Sequence, residues 1–303
     1  MQTVPDPSTH YRGRFAPSPT GPLHLGSLIA ALASFLDARH HAGAWLVRME
    51  DLDPPREEPG AADAILNSLR CHGLHWDGDV LYQSTRATAY SAALARLDEE
   101  GLLFACDCSR AMLNTVGACA GDCRTRQDAI SSSRAIRIAV PAECEIQFSD
   151  GLQRQQDTKL GNSLQDFIVR RKDRLHAYQL AVVVDDAEQG ITHVVRGSDL
   201  LDSTARQIFL QQVLSQSTPR YFHLPVITTG QGQKFSKQNL APALDNEKAV
   251  YNLRCALRFL QQHEPPADIK SVDLLLAQAV EQWSPARVPV AMTIGADSIA
   301  LHV

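Results

Sequence analysis

The chain has 303 residues, of which 44% are apolar and 21% are charged, and its formal net charge is −5. This composition is that of an ordinary folded protein of one or two domains, and it excludes a broadly basic surface for nucleic acid. The densest basic patch, residues 170–174, fits a local RNA contact and a solvated strand end equally well. No apolar run reaches membrane-spanning length, and the N-terminus lacks the features of a signal peptide, so we expect a cytoplasmic protein.

The first predicted elements are a stiff loop and a helix. Residues 14–27 contain three prolines and two glycines, which predict a shaped loop rather than the middle of a helix or strand. Apolar residues at helical spacing follow from Leu28 to Leu36, so Ser27 is the expected N-cap. The N–H groups of such a helix start, with His24 beside them, are suited to bind phosphate. Taken alone, the pattern is more typical of a plain connection before a surface helix.

The next segment predicts a strand whose end carries acidic residues. Ala44–Met49 is a short apolar run, typical of a buried strand, and Glu50 follows it directly. Acidic residues at the carboxyl end of a strand in an open α/β sheet face the ligand crevice. The order loop, helix and strand therefore predicts one half of a mononucleotide-binding fold. Gly60–Cys71 and Ala87–Leu103 are predicted to be amphipathic helices.

Four cysteines lie close together at the start of a polar stretch without helical periodicity. They form the pairs Cys106-x-Cys108 and Cys119-x-x-x-Cys123. Zinc takes four sulfur ligands tetrahedrally, and an all-cysteine site is closed and structural. The pairs predict two knuckles around one metal ion, the alternative being four reduced thiols. The other cysteines are expected in the core: Cys71, Cys144 and Cys255.

A second α/β half is predicted to begin near Asp166. Residues 177–186 are ambiguous, because their valines favour a strand and their length favours a helix. Ile191–Val195 is a clearer strand that leads into Arg196, so a charged residue again stands at a strand end. A helix is predicted from about Ser203 to Leu214.

The last predicted feature with chemical meaning is a pair of lysines. Lys234 and Lys237 lie on a glycine-flanked loop and can close over a triphosphate, although such a pair on a surface loop is normally only solvated. Helices are predicted at 251–262 and 272–283.

Two of these segments carry a resemblance to a known family. The loop at 14–27 resembles the His-x-Gly-His signature of class I aminoacyl-tRNA synthetases, in the form used by the glutamyl and glutaminyl enzymes. Residues 234–238 resemble their Lys-Met-Ser-Lys-Ser loop. Ser27 and Gln238 depart from the two signatures, which is expected to tune the rate without removing the activity.

The resemblance extends from Tyr11 to about Ala241 and implies an α/β architecture. The expected fold is the class I synthetase Rossmann-type nucleotide-binding fold with a zinc-bearing insertion and a short helical C-terminal region. The implied boundaries are 1–105 for the first catalytic half, 106–162 for an acceptor-binding-like insertion, 163–241 for the second half with the lysine loop, and 242–303 for the C-terminal region.

The charged residues indicate the substrate class. Arg14 and Arg196 can each hold a carboxylate through paired hydrogen bonds, and Glu50 can accept from an α-ammonium, which together fit an acidic amino acid. The alternatives for Tyr178 and Ser18 are packing and turn capping.

The resemblance implies the site residues in detail. Glutamate is the implied ligand of Arg14, Phe15, Ala16, Pro17, Ser18, Glu50, Tyr178 and Arg196. ATP with Mg²⁺ is the implied ligand of Pro17, Gly21, His24, Gly26, Ser27, Lys234, Ser236 and Lys237. The implied catalytic residues are His24, Lys234 and Lys237. One structural zinc ion is implied for Cys106, Cys108, Cys119 and Cys123.

The C-terminal region narrows the implied function. Too few residues follow Gln238 for the helical domains with which ordinary glutamyl-tRNA synthetases read the anticodon. The chain resembles instead their short paralogues, which implies activation of L-glutamate by ATP and transfer of glutamate to queuosine at the wobble position of tRNA(Asp). The alternatives are a truncated glutamyl-tRNA synthetase charging the 3′ end of tRNA(Glu), a non-catalytic zinc- and RNA-binding synthetase relic, and another nucleotidyltransferase of the same fold.

Overall fold

The computed structural model describes residues 10–113, 117–119, 122–163, 166–229 and 242–296. The strands are β1 (Arg12–Phe15), β2 (Ala44–Met49), β3 (Leu81–Tyr82), β4 (Leu103–Cys106), β5 (Ala135–Ile138), β6 (Glu145–Asp150), β7 (Arg154–Lys159), β8 (Phe167–Arg170), β9 (His193–Gly197), β10 (Arg220–Leu224), β11 (Val226–Thr228) and β12 (Thr293–Gly295). The helices are α1 (Leu25–His40), α2 (Ala61–Cys71), α3 (Ala87–Glu99), α4 (Asp122–Thr125), α5 (Leu160–Ser163), α6 (Tyr178–Glu188), α7 (Leu201–Val213), α8 (Ala249–Phe259) and α9 (Val272–Glu281).

Parallel strands form the centre of the fold. β2 lies between β1 and β3, and β10 lies between β9 and β6, with parallel pairing throughout. The two groups meet where the Arg12 N–H donates to Thr192 Oγ1 and the Thr192 N–H donates to Arg12 O. This arrangement confirms the predicted α/β fold.

The cysteine-bearing stretch is built into the sheets on both sides of it. β5 pairs antiparallel with β4 and β8, and β6 pairs with β7 as well as with β10. Residues 106–162 therefore share hydrogen-bonded sheets with the chain before and after them.

Apolar side chains form two main clusters. One contains buried residues of α1, β1, β2, α8 and α9, and the other contains those of α3, α6, α7 and β9. The ambiguous segment 177–186 is helical from Tyr178 onwards, and every residue from Leu180 to Asp186 is buried, so the helix packs on all sides against neighbouring elements.

Two predictions were wrong, one on the end of a helix and one on the burial of a cysteine. The helix predicted at Ala87–Leu103 ends at Glu99, because Gly101 adopts a left-handed φ of 69° and the Leu102 N–H bonds Leu97 O, which terminates the helix before β4. Cys71 is exposed rather than in the core, since it is the last residue of α2, whereas Cys255 is buried as predicted.

Within the described residues, no helix combines the length and apolar character needed to cross a lipid bilayer.

Candidate active site

A cavity of about 670 Å³ lies at the carboxyl ends of β1, β2, β9 and β10. This is the edge at which open α/β sheets bind their ligands. The predicted site residues that line it are Arg14, Phe15, Ala16, Pro17, Ser18, His24, Gly26, Ser27, Glu50, Tyr178 and Arg196. Gly21 is not among the lining residues, and Lys234, Ser236 and Lys237 lie outside the described residues.

The helix that follows the loop begins earlier than predicted, and Ser27 is not its N-cap. His24 is the N-cap: its Nδ1 accepts the Ser27 N–H at 3.2 Å, and its carbonyl accepts the Leu28 N–H at 3.0 Å. Because a backbone N–H only donates, Nδ1 carries the lone pair, and the proton of the neutral ring is on Nε2. The prediction failed because it considered only the usual capping residues, whereas an imidazole nitrogen supplies the acceptor here.

Close packing holds this loop in place. A Cβ at Gly26 would stand 3.1 Å from both the His24 ring and the Ile227 side chain, so glycine permits the approach. His24 also forms an antiparallel bridge with Ala243, and the Leu244 N–H bonds Leu23 O at 2.9 Å. The described chain on either side of residues 230–241 therefore lies beside His24.

The first arginine of the site, Arg14, is held by a buried carboxylate. Its Nε and Nη2 donate to the two oxygens of Asp186 at 3.1 and 3.3 Å. Asp186 also accepts from Arg48 Nη2 at 2.6 Å, and Arg48 Nη1 donates to Gln189 at 2.7 Å. Burial alone would raise the pKa of Asp186, but the two arginines lower it below its usual value. Two buried cations therefore share one anion.

The acidic residue Glu50 lies beside this cluster. Its Oε1 is 3.9 Å from Arg48 Nη2. Burial raises the pKa of Glu50 to about 7, against the opposing charges of Arg48 and Arg14. Near neutral pH, Glu50 can therefore exist in both protonation states, and an ammonium group beside it would favour the ionised form.

The second arginine, Arg196, is held by neutral groups. Its Nε donates to His223 Nε2 at 3.0 Å and its Nη2 donates to Thr204 Oγ1 at 2.8 Å. Its Nη1 lies 3.4 Å from the Tyr178 hydroxyl, and its guanidinium is 5.3 Å from the centroid of the Tyr221 ring. Among the described residues, no carboxylate forms an ion pair with Arg196, although the side chain is buried.

The sequence did not single out the partners of these arginines: Arg48, Asp186, Thr204 and His223. One signal was present, since Asp185 and Asp186 interrupt an apolar run and an acid buried on a helix needs a cation.

The four predicted cysteines come together in a separate buried cluster. Their sulfur atoms all lie within 4.8 Å of one another, and Cys108 Sγ is 3.8 Å from Cys119 Sγ and 3.4 Å from Cys123 Sγ. Zinc–sulfur bonds of about 2.3 Å in a tetrahedron place sulfur atoms about 3.8 Å apart, so the set fits a metal ion of that kind.

Cationic groups border this cluster. Arg126 Nη2 is 3.3 Å from Cys123 Sγ, and Lys172 Nζ donates to the carbonyls of Asp107 and Cys108 at 2.8 and 2.9 Å. Burial raises the pKa of the Cys108 thiol. Lys172 would offset part of the negative charge that four thiolates bring to a divalent metal ion, and Arg126, which is paired with Asp107, would hydrogen-bond the Cys123 sulfur.

Comparison with known proteins identifies the class. The family model described as tRNA synthetases class I (E and Q), catalytic domain, matches residues 10–258. The chain belongs to this family of class I aminoacyl-tRNA synthetases, which are ligases.

Two similar curated relatives share one name within this family. Glutamyl-Q tRNA(Asp) synthetase of Pseudomonas fluorescens is 50% identical over 290 residues, covering 95% of this chain and 96% of its own. The protein of the same name from Neisseria meningitidis serogroup C is 50% identical over 289 residues, covering 92% of this chain and 97% of its own.

Solved structures agree on the fold. The glutamate-tRNA synthetase of Elizabethkingia anophelis superposes with a TM-score of 0.77 at 23% identity, covering 93% of this chain and 67% of its own. The glutamate tRNA ligase of Elizabethkingia meningosepticum, solved with its amino acid, gives a TM-score of 0.76 at 23% identity, covering 93% and 66%.

Proposed function

We propose that the chain activates L-glutamate with ATP and transfers the glutamyl group to queuosine at the wobble position of tRNA(Asp). The observation that carries the proposal is the charge arrangement of the cavity. Arg14 is paired with the buried Asp186, whereas no carboxylate of the described residues forms an ion pair with the buried Arg196, and Glu50 lines the same cavity. L-Glutamate can offer a carboxylate to Arg196 and an ammonium to Glu50.

The proposed orientation follows from the partners of each group. Arg196 binds a substrate carboxylate, because, of the two buried arginines described in the lining of the cavity, it is the one without a carboxylate in an ion pair. Glu50 accepts from the α-ammonium, which stabilises the ionised form of a carboxyl whose pKa burial has raised to about 7. An uncharged amino acid would leave Arg196 without a counter-ion.

In the first proposed step, an oxygen of the glutamate α-carboxylate attacks the α-phosphorus of ATP. A new carboxyl–phosphate bond forms, the bond to the β-phosphate breaks, and pyrophosphate leaves. The start of α1 offers N–H groups to the phosphates, and the His24 Nε2–H with the Ser27 hydroxyl, 3.2 Å from it, offers further donors. Lys234 and Lys237 are proposed to close over the triphosphate, and bound Mg²⁺ would offset phosphate charge.

In the second proposed step, a hydroxyl of the queuosine cyclopentenediol attacks the acyl carbon of glutamyl-adenylate. The ester bond forms, AMP leaves, and the hydroxyl proton passes to the leaving phosphate or to solvent. The acceptor is supported by the names of the relatives that are 50% identical over nearly the whole chain. Positioning of the two reactants is the main contribution that we assign to the protein here.

We also propose that the four-cysteine cluster holds one structural zinc ion within an insertion, 106–162, that contacts RNA. The sulfur distances and the cationic border support this assignment. Metal analysis of the purified chain should give one zinc per molecule, and Cys108→Ser should lower the zinc content. A zinc-free protein with unchanged unfolding would refute the assignment.

The reaction is tested by incubating the protein with labelled glutamate and ATP and two preparations of tRNA(Asp), one with queuosine and one with guanosine at the wobble position. Label on the queuosine form alone is the expected result. Label on tRNA(Glu) instead would favour a truncated glutamyl-tRNA synthetase. Absence of glutamate-dependent ATP–pyrophosphate exchange would favour a non-catalytic relic.

A further inference from the structure

A buried chain of hydrogen bonds leads from Arg196 to an acidic residue that the cavity does not expose. Arg196 Nε donates to His223 Nε2 at 3.0 Å, and His223 Nδ1 lies 2.6 Å from Asp150 Oδ2. The side chains of His223 and Asp150 are completely buried. Asp150 is the last residue of β6, so it belongs to the stretch between the two halves of the fold, 73 residues before His223.

The donors and acceptors in this chain permit only one tautomer of the neutral ring. The Arg196 Nε–H can only donate, so His223 Nε2 must present its lone pair and the ring proton must be on Nδ1. The Asp150 carboxylate can only accept, so it stabilises the Nδ1–H form. Burial lowers the pKa of His223, which agrees with a neutral ring between Arg196 and Asp150.

Asp150 is itself held by three backbone groups. Its Oδ1 accepts the N–H groups of Leu152, Gln153 and His223 at 3.0, 2.7 and 3.2 Å. The two oxygens therefore have separate partners: Oδ1 fixes the turn after β6, and Oδ2 fixes the imidazole. An amide at this position can keep the first set of bonds while it reverses the polarity of the second.

We propose that Asp150 and His223 are positioning residues for Arg196: Asp150 fixes the His223 tautomer, and the bare Nε2 of His223 orients the guanidinium towards the substrate carboxylate. Arg196 Nε is fixed by His223 and Nη2 by Thr204, which leaves Nη1, beside the Tyr178 hydroxyl, for the substrate. The proposal rests on the proposed glutamate activation and deepens it, because it assigns part of amino-acid recognition to a residue outside the two nucleotide-fold halves.

The test is Asp150→Asn, whose side-chain oxygen keeps the three backbone bonds. Its amide N–H would donate to His223 Nδ1, so the ring proton would move to Nε2. The His223 Nε2–H and the Arg196 Nε–H would then be two donors facing each other without an acceptor. We expect the KM for glutamate in ATP–pyrophosphate exchange to rise by about 10- to 100-fold, as for other groups that orient a ligand-binding residue. The KM for ATP should change less than about twofold. Asp157→Asn, on exposed β7, is the matched control and should change neither.

Two further measurements separate positioning from damage to the fold. Long-range proton–nitrogen NMR on histidine-labelled protein should show His223 as the Nδ1–H tautomer in the wild type and the Nε2–H tautomer in Asp150→Asn, with His223→Gln used to assign the signal. In the His223→Gln background, where a side-chain oxygen can accept from Arg196, Asp150→Asn should add little to the KM for glutamate.

Each outcome bears on one claim. An Nε2–H tautomer in the wild type, or an equal KM increase from Asp150→Asn in both backgrounds, would overturn the positioning role. A wild-type protein that does not activate glutamate would refute the proposed function, while the NMR result would still decide the tautomer.

Discussion

The two buried arginines described in the lining of the cavity are held in opposite ways. Arg14 is paired with a buried carboxylate, Asp186, which it shares with Arg48, whereas Arg196 is surrounded by the neutral groups of His223, Thr204 and Tyr178. Arg14 is therefore compensated by direct contact with a carboxylate, whereas Arg196 has no carboxylate in direct contact among the described residues and reaches Asp150 only through His223. The first arrangement stabilises the folded site, and under the proposed function the second keeps a cation ready for a substrate anion.

The largest expected effect is the loss of unfolding free energy when the carboxylate that pairs with Arg14 is removed. Asp186→Asn would leave Arg14 and the fully buried Arg48 without their shared anion, with Glu50 3.9 Å from Arg48 as the nearest acidic side chain in an ion pair with it. Breaking a buried pair in this way costs about 3–5 kcal/mol of unfolding free energy, measurable by denaturant titration.

The matched control for that measurement is Asp173→Asn. Asp173 pairs with Arg171 at 2.7 Å but is half exposed, so the same substitution should cost about 0–1 kcal/mol. Equal losses in the two variants would remove the distinction between a compensated, structural arginine and an ordinary ion pair.

The next largest effect is expected on the KM for glutamate when Arg196 is replaced. Arg196→Lys keeps the charge but cannot reach His223, Thr204 and the substrate together, so the KM for glutamate should rise by about 100-fold, or roughly 2.7 kcal/mol. Arg14→Lys retains a cation beside Asp186, and its KM should rise by no more than about tenfold. Pyrophosphate exchange at varied glutamate concentration measures both. A larger increase for Arg14→Lys would reverse the proposed assignment.

A smaller effect is expected for Glu50, the acid whose nearest described cation is Arg48. Since burial raises the pKa of Glu50 to about 7, the free site loses the carboxylate that accepts the ammonium as pH falls below that value. The KM for glutamate should increase towards tenfold per pH unit below about 7 and level off above it. Glu50→Gln should bind glutamate weakly with no such pH dependence; a wild-type KM that is constant from pH 6 to 8 would contradict the role of Glu50.

The difference between the two arginines also explains what could be predicted from the sequence. Arg14, Glu50 and Arg196 stand at or directly after the carboxyl ends of β1, β2 and β9, where position alone indicates a ligand-facing edge. The four cysteines were predictable for a similar reason, because ligand number and short spacing define the cluster locally.

The partners that hold the arginines are set by tertiary packing. Arg14 and Asp186 are 172 residues apart, and no local pattern relates them. Asp150 was one of many polar residues in its stretch, and it became significant only when β6 paired with β10 beside His223. The N-cap of α1 was predicted wrongly although the interaction is local. His24 caps the helix through a bond that the usual capping preferences do not include.

The smallest expected effect concerns the hydroxyl that lies between the uncompensated arginine and the cavity. The Tyr178 hydroxyl is 3.4 Å from Arg196 Nη1, a long contact between a cation and a neutral group. A typical hydrogen bond contributes about 0.5–1.5 kcal/mol, so Tyr178→Phe should raise the KM for glutamate by roughly two- to tenfold and leave the KM for ATP unchanged. If Tyr178→Phe had as large an effect as Arg196→Lys, the hydroxyl would have to contact the substrate directly, and Arg196 would share the recognition of the carboxylate with it.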